Sequence, residues 1–101
     1  MNDYSWPADG RLLAERSRLA WSATVAALPV GAPIAGEVIG RQPFGVFIRI
    51  DGAPDAVGLA EVTTMPREGE LPPMGARITG TVVSHAEHNH QVRVRLANRR
   101  P

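Results

Sequence analysis

The stretch "IAGEVIGRQPFGVFIRI", residues 34–50, consists of two runs rich in Val and Ile on either side of a break at Gln42 and Pro43. Apolar runs of this length, rich in β-branched residues and bounded by Gly and Pro, read as consecutive β-strands. In the second run Val46, Ile48 and Ile50 share one parity and supply an inward face, which sends Phe47 and Arg49 to the opposite side. Phe44 has the wrong parity to join Phe47 in a regular strand. Gly45 stands between them, and a glycine inside a strand often marks a bulge at which the alternation resets. A bulge at Gly45 would carry both phenylalanines, the only two in the chain, onto one outward face beside Arg49.

Downstream the same texture continues. The pattern predicts strands over residues 34–41, 44–51, 56–59, 77–85 and 91–97. Between the third and fourth lies "AEVTTMPREGELPPMGA", whose Pro66, Pro72 and Pro73 leave room for a short helical turn and no long element. Three strands, an irregular excursion and two further strands suit an all-β fold, a five-stranded Greek-key barrel of the OB type.

Upstream the spacing predicts one α-helix over residues 9–28, with Asp9 as N-cap and Pro29 and Gly31 as stop signals. Leu12, Leu19, Ala20, Ala23 and Ala27 form one apolar arc, and Trp21 and Val25 lie roughly opposite. One side is expected to pack on the barrel. The Trp21 side is left for a partner or a second copy, although a partly exposed Trp also occurs on many monomers. The expected division is a helical extension at 1–29, a barrel domain at 30–98 and a tail at 99–101.

Composition narrows the function classes. A chain of 101 residues holds one modest core. It has no cysteine, which removes disulfides, thiolate metal sites and cysteine nucleophiles. All eleven basic residues are arginine, and the net charge is +1. So small a charge does not suit the tight non-specific nucleic-acid binding of highly basic domains. Residues 51–70 hold five acids and one arginine, whereas residues 71–101 hold five arginines and one acid, so the surface is dipolar. The opening residues lack the pattern of a secretory signal, and no apolar run approaches the length of a membrane span; a cytoplasmic protein is expected.

"VGAPIAGEVIGRQPFGVFIRIDGAPDAVGLAEV" and "MGARITGTVVSHAEHNHQVRVRLAN" together resemble an S1-type RNA-binding domain, from about Val30 to Asn98. The resemblance rests on the "VG" entry with "GEV", the "FGVFIRI" strand, the "GL" closing the third strand, and "VRVRLA". It implies an OB fold. It also implies that Phe44 and Phe47 are RNA-contacting aromatics and that Arg93 is the basic residue opening the last strand. Where the family commonly places a histidine after "GL", this chain has Glu61, whose charge repels phosphate. The family's acidic residue after the fourth strand corresponds to Glu87 or Asn89.

Other constellations are weaker. His85, His88 and His90 with Glu87 could be counted as zinc or copper ligands. A polar hairpin tip centred on Asn89 needs the same residue types, so no metal or other cofactor is assigned. Ser84 and His85 are adjacent and cannot address one centre from a strand. Glu68 and Glu70 have no apolar pocket to raise a pKa, so no enzyme is expected. The expected function is weak single-stranded RNA binding, with Phe44 and Phe47 stacking bases and Arg49 and Arg93 meeting phosphate. The alternative is a protein-interaction module that uses the barrel as scaffold, with contacts from the Trp21 face of the helix or from the acidic 51–70 region.

Overall fold

The computed structural model describes residues 4–64 and 71–97. Two helices, α1 (Gly10–Leu19) and α2 (Trp21–Ala27), precede five strands: β1 (Pro33–Gln42), β2 (Gly45–Ile50), β3 (Val57–Glu61), β4 (Arg77–Ala86) and β5 (Gln91–Leu96). The strands close into a barrel in the order β1-β2-β3-β5-β4. β3 and β5 pair parallel and every other neighbouring pair is antiparallel. All five expected strands are present, with ends displaced by a residue or two. The expected helical turn after β3 is a 3₁₀ turn at Val62–Thr64. Glu68, Glu70 and the expected tail at 99–101 lie outside the described residues.

The interior is filled by small and β-branched side chains, among them Val38, Val46, Ile48, Ile50, Ala60, Val82, Val92 and Val94. Burying each Val or Ile is worth about 1.5–3 kcal/mol, so this set is the main source of stability. It matches the inward parity read from the second strand.

The bulge lies elsewhere than expected. β2 keeps an unbroken register from Gly45 to Arg49 against β3, and the irregularity falls in β1 between Val38 and Gly40, leaving Ile39 as the extra residue. Beyond it Gly40 stands opposite Phe47. Gly45 is required for a different reason. With φ at +156° it lies so close to β3 that a Cβ would sit 2.2 Å from the Ala60 carbonyl oxygen.

The single expected helix is two helices, broken at Ala20, where φ is −94° and ψ is 9°. Asp9 occupies the N-cap position, but in the left-handed conformation and without a side-chain capping bond. The buried stripe also differs from the expected apolar arc. Ser17 and Thr24 are buried, Leu13, Trp21 and Leu28 are half-buried, and Leu19 is 70% exposed. These positions recur every three to four residues and form one stripe facing the barrel. Ser17 tolerates burial because its hydroxyl donates to the Ala14 carbonyl at 2.9 Å. No helix among the described residues is long and apolar enough to cross a membrane.

Arg77 at the start of β4 donates through both guanidinium arms to the Asp51 carboxylate just after β2. The Arg77 hydrogen bonds are the main cause holding the Asp51 carboxyl below its ordinary value of 3.8. The stabilisation is therefore present above that value and is lost as pH falls through the lowered one. Comparing wild type with Asp51→Asn by urea unfolding should show a small gap at pH 7, within the range of exposed pairs, that closes in strong acid. Gly45→Ala forces backbone apart and is expected to cost about 3 kcal/mol or more, whereas Gly10→Ala, with no neighbour in the way, should stay within about 0.5 kcal/mol. Equal unfolding midpoints for these two variants would contradict the close approach of β2 to β3.

Candidate nucleic-acid interface

Strand register builds the outer face of the barrel. Phe47 of β2 pairs with Leu59 of β3, which pairs with Arg93 of β5. One step along, Arg49 pairs with Val57 and Val57 with Gln91. Since alternate residues share a face, all six project to the same side. Glu61 follows Leu59 on that side, opposite Gly45. The four expected site residues are therefore brought to one region, with Phe44 just ahead of β2, but they are not equally accessible.

Phe44 is 43% exposed and Phe47 only 7%. The rings meet edge-on at 5.9 Å, a favourable aromatic geometry. Trp6, which sequence reasoning passed over, lies across both, 6.1 Å from Phe44 and 5.9 Å from Phe47. It is 65% exposed and forms the outermost ring of the cluster. Phe47, expected on an open platform, instead joins Val57 and Leu59 in a second apolar cluster against which Leu13 and Ile39 pack. It points outward as its parity requires, but this chain's own N-terminal segment covers it.

The cover is anchored at the end of β1. Ser5 and Arg41 exchange two backbone hydrogen bonds of 2.7 Å. The Arg41 guanidinium lies 5.4 Å over the Tyr4 ring and reaches the Pro72 carbonyl through Nε at 3.2 Å. Gly40 supplies the seat, since a Cβ there would fall 2.7 Å from Cδ of Pro7. The bulge at Ile39 thus turns a bare position outward under a proline. The one signal for this in the sequence was a Trp-Pro pair four residues before the helix.

The charges on this face are opposed. Arg93 Nη1 lies 3.5 Å from Glu61 Oε1, with both side chains more than a third exposed. A pair of that exposure and length is worth less than about 1 kcal/mol. Arg93 Nε is buried and has no partner. Arg49 is exposed and lies opposite Glu37 of β1 across the ladder. Glu61 therefore meets Arg93, the residue that the resemblance matched to the basic opening of the last strand.

Between α1 and this face lies a cleft of about 320 Å³. Leu13 stands on one side, Phe47 and Val57 on the other, and Trp6 and Pro7 wall it.

Trp21, which the alternative reading offered as a contact face for a partner, lies against the chain's own barrel. Its indole N–H donates to Glu87 at 3.0 Å, and its ring meets His85 at 6.1 Å and His90 at 5.6 Å, both edge-on. His85 Nε2 is 2.8 Å from the Leu28 carbonyl oxygen. His90 takes the left-handed position of the β4–β5 turn, with φ at 55°. Among the described residues no three metal-binding side chains converge.

The sequence matches no protein-family model and no curated protein at a significant level. Solved structures do match. RNase R of Mycoplasma genitalium, in its apo form and in complex with ribose-methylated single-stranded RNA, superposes with a TM-score of 0.69 at 16% identity over 87% of this chain. The chain spans 15% of that protein. A multidomain protein with nucleic acid binding domains from Streptococcus pneumoniae matches with a TM-score of 0.59 at 14% identity, covering 70% of this chain and 24% of that one. GSP13 of Bacillus subtilis matches with a TM-score of 0.55 at 21% identity, covering 66% of this chain and 54% of that one. Strand order, register and these likenesses together define a five-stranded barrel of the OB fold, with a broken helix and an aromatic N-terminal segment laid over its outer face.

Proposed function

We propose that this protein binds single-stranded RNA weakly through the outer face of β2, β3 and β5. The observation that carries this reading is the convergence on one face of two exposed aromatic rings, Trp6 and Phe44, with Arg49 and Arg93. Rings accept bases of any sequence by stacking, at about 1–3 kcal/mol per base, and guanidinium groups meet the phosphates between them. Phe47 supports the two outer rings from beneath. The complex of RNase R with single-stranded RNA supports this choice of ligand by analogy of fold. Glu61 and Glu37, each beside one of the arginines, keep the affinity low.

Titration with short oligoribonucleotides at varied salt tests the reading. Two neutralised phosphates give a log–log salt slope of about −1.4 on a single strand. Phe44→Ala should weaken binding by about 1–3 kcal/mol while leaving the fold intact. Phe47→Ala should instead destabilise the protein by about 3–5 kcal/mol, because its ring is buried. Glu61→Gln releases Arg93 and should tighten binding. Absence of measurable binding at low salt overturns the proposal.

A further inference from the structure

The cleft under α1 has a composition that neither a flat stacking platform nor a simple core requires. Its floor is Phe47 and Val57, with Trp6 as one wall and Ala14 in the roof. At one end it is lined by Asn89 and Gln91, the turn residue before β5 and the first residue of that strand. Among the described residues no charged side chain lines it. A guest must therefore be neutral, with broad apolar surfaces and a polar edge that amides can pair with. Carboxamides carry both donors and acceptors, which is what the Watson–Crick edge of an unpaired base presents. At about 320 Å³ the cleft lies at the small end of ligand sites, the scale of one base rather than a folded segment.

Strand register places charge where the phosphates of such a nucleotide would lie. The floor follows one diagonal of the outer face, from Phe47 through Val57 to Gln91. Arg49 and Arg93 occupy the two ends of the other diagonal, on β2 and β5, two strand spacings apart. That separation is about 10 Å laterally, and long guanidinium arms reach across it from both sides. Arg93 also holds a buried Nε without a partner, a donor whose desolvation is uncompensated until an acceptor arrives.

We infer that the cleft between α1 and the outer face is a slot for a single unpaired nucleobase, its edge paired by Asn89 and Gln91 and its flanking phosphates met by Arg49 and Arg93. The inference deepens the RNA-binding reading and rests on it for the identity of the strand. The slot itself demands only a base. A base in a paired stem cannot enter, because α1 roofs the site and stacking neighbours would collide with it.

Neutral nucleosides and a short oligoribonucleotide separate the two ideas. In a ¹⁵N-labelled full-length chain, adenosine, guanosine, cytidine or uridine should shift the side-chain amide resonances of Asn89 and Gln91. Ala14→Leu fills the roof, and Gln91→Glu replaces an amide by a carboxylate of the same shape. Each should abolish the nucleoside shifts and weaken oligoribonucleotide binding by about tenfold, a loss within the range of one stacked base. Oligoribonucleotide binding that survives both substitutions, in chains whose spectra show them folded, overturns the slot and leaves the RNA-binding proposal standing. Nucleoside shifts without any oligoribonucleotide binding overturn the RNA-binding proposal and leave the slot. Amide resonances that no nucleoside moves also overturn the slot.

Discussion

A five-stranded barrel encloses little space, and here that space is filled by Val, Ile and Ala. Phenylalanine has no place in it, so Phe47 must point outward, and an outward Phe on a barrel wall has to be covered or offered. This chain covers it. Trp6 and Leu13 bury a ring that a bare barrel would expose, and burying such a ring is worth about 1.5–3 kcal/mol. The path of the N-terminal segment follows from this. Pro7 rests on Gly40 because the bulge at Ile39 turned a bare position outward, and Ser5 pairs with Arg41 because the segment then runs alongside β1. α1 is held over β2 and β3 by the same cluster, and the break at Ala20 lets α2 turn toward the β4–β5 loop, where Trp21 reaches Glu87.

The elements most legible in the sequence were those specified by local pattern. All five strands follow period-two alternation and Gly/Pro punctuation, which depend on near neighbours only. What escaped depends on distant contacts. The bulge was sought at Gly45 because a glycine in a strand suggests one, yet Gly45 is demanded by the Ala60 carbonyl across the ladder and the bulge sits at Ile39. The helix stripe differs from the expected arc because an apolar pattern counts Leu and Ala alike and leaves small polar residues out. Ser17 and Thr24 are buried where the helices face the barrel, and the Ser17 hydroxyl, satisfied within its own helix, leaves no trace in a hydrophobic pattern.

The candidate site shows the same division. Parity alone placed Phe47 and Arg49 on the outer face, and Arg93 joins them through the parallel pairing of β3 with β5. Exposure was not readable, because it depends on Trp6, forty-one residues away and outside any periodic element. Glu61 stood out in the sequence as a reversal of sign. The structure gives that reversal a partner, since Glu61 lies 3.5 Å from Arg93 on the outer face of β5.

The cover does not close this face: the energies favour a ligand that uses the cover over one that displaces it. Lifting Trp6 breaks two backbone hydrogen bonds, each worth about 0.5–1.5 kcal/mol net. It also exposes Phe47, at a further cost of about 1.5–3 kcal/mol. One base stacked in place of the indole returns about 1–3 kcal/mol, which does not repay both losses. Stacking on the outer surface of Trp6, or insertion beneath α1 beside it, avoids them. The ring is already fixed by the Ser5–Arg41 bridge and by Pro7 on Gly40, so the entropy of ordering it was spent in folding and not in binding. The segment that hides Phe47 thereby makes Trp6 a pre-ordered surface, and the barrel carries an exposed aromatic ring that comes from outside its own strands.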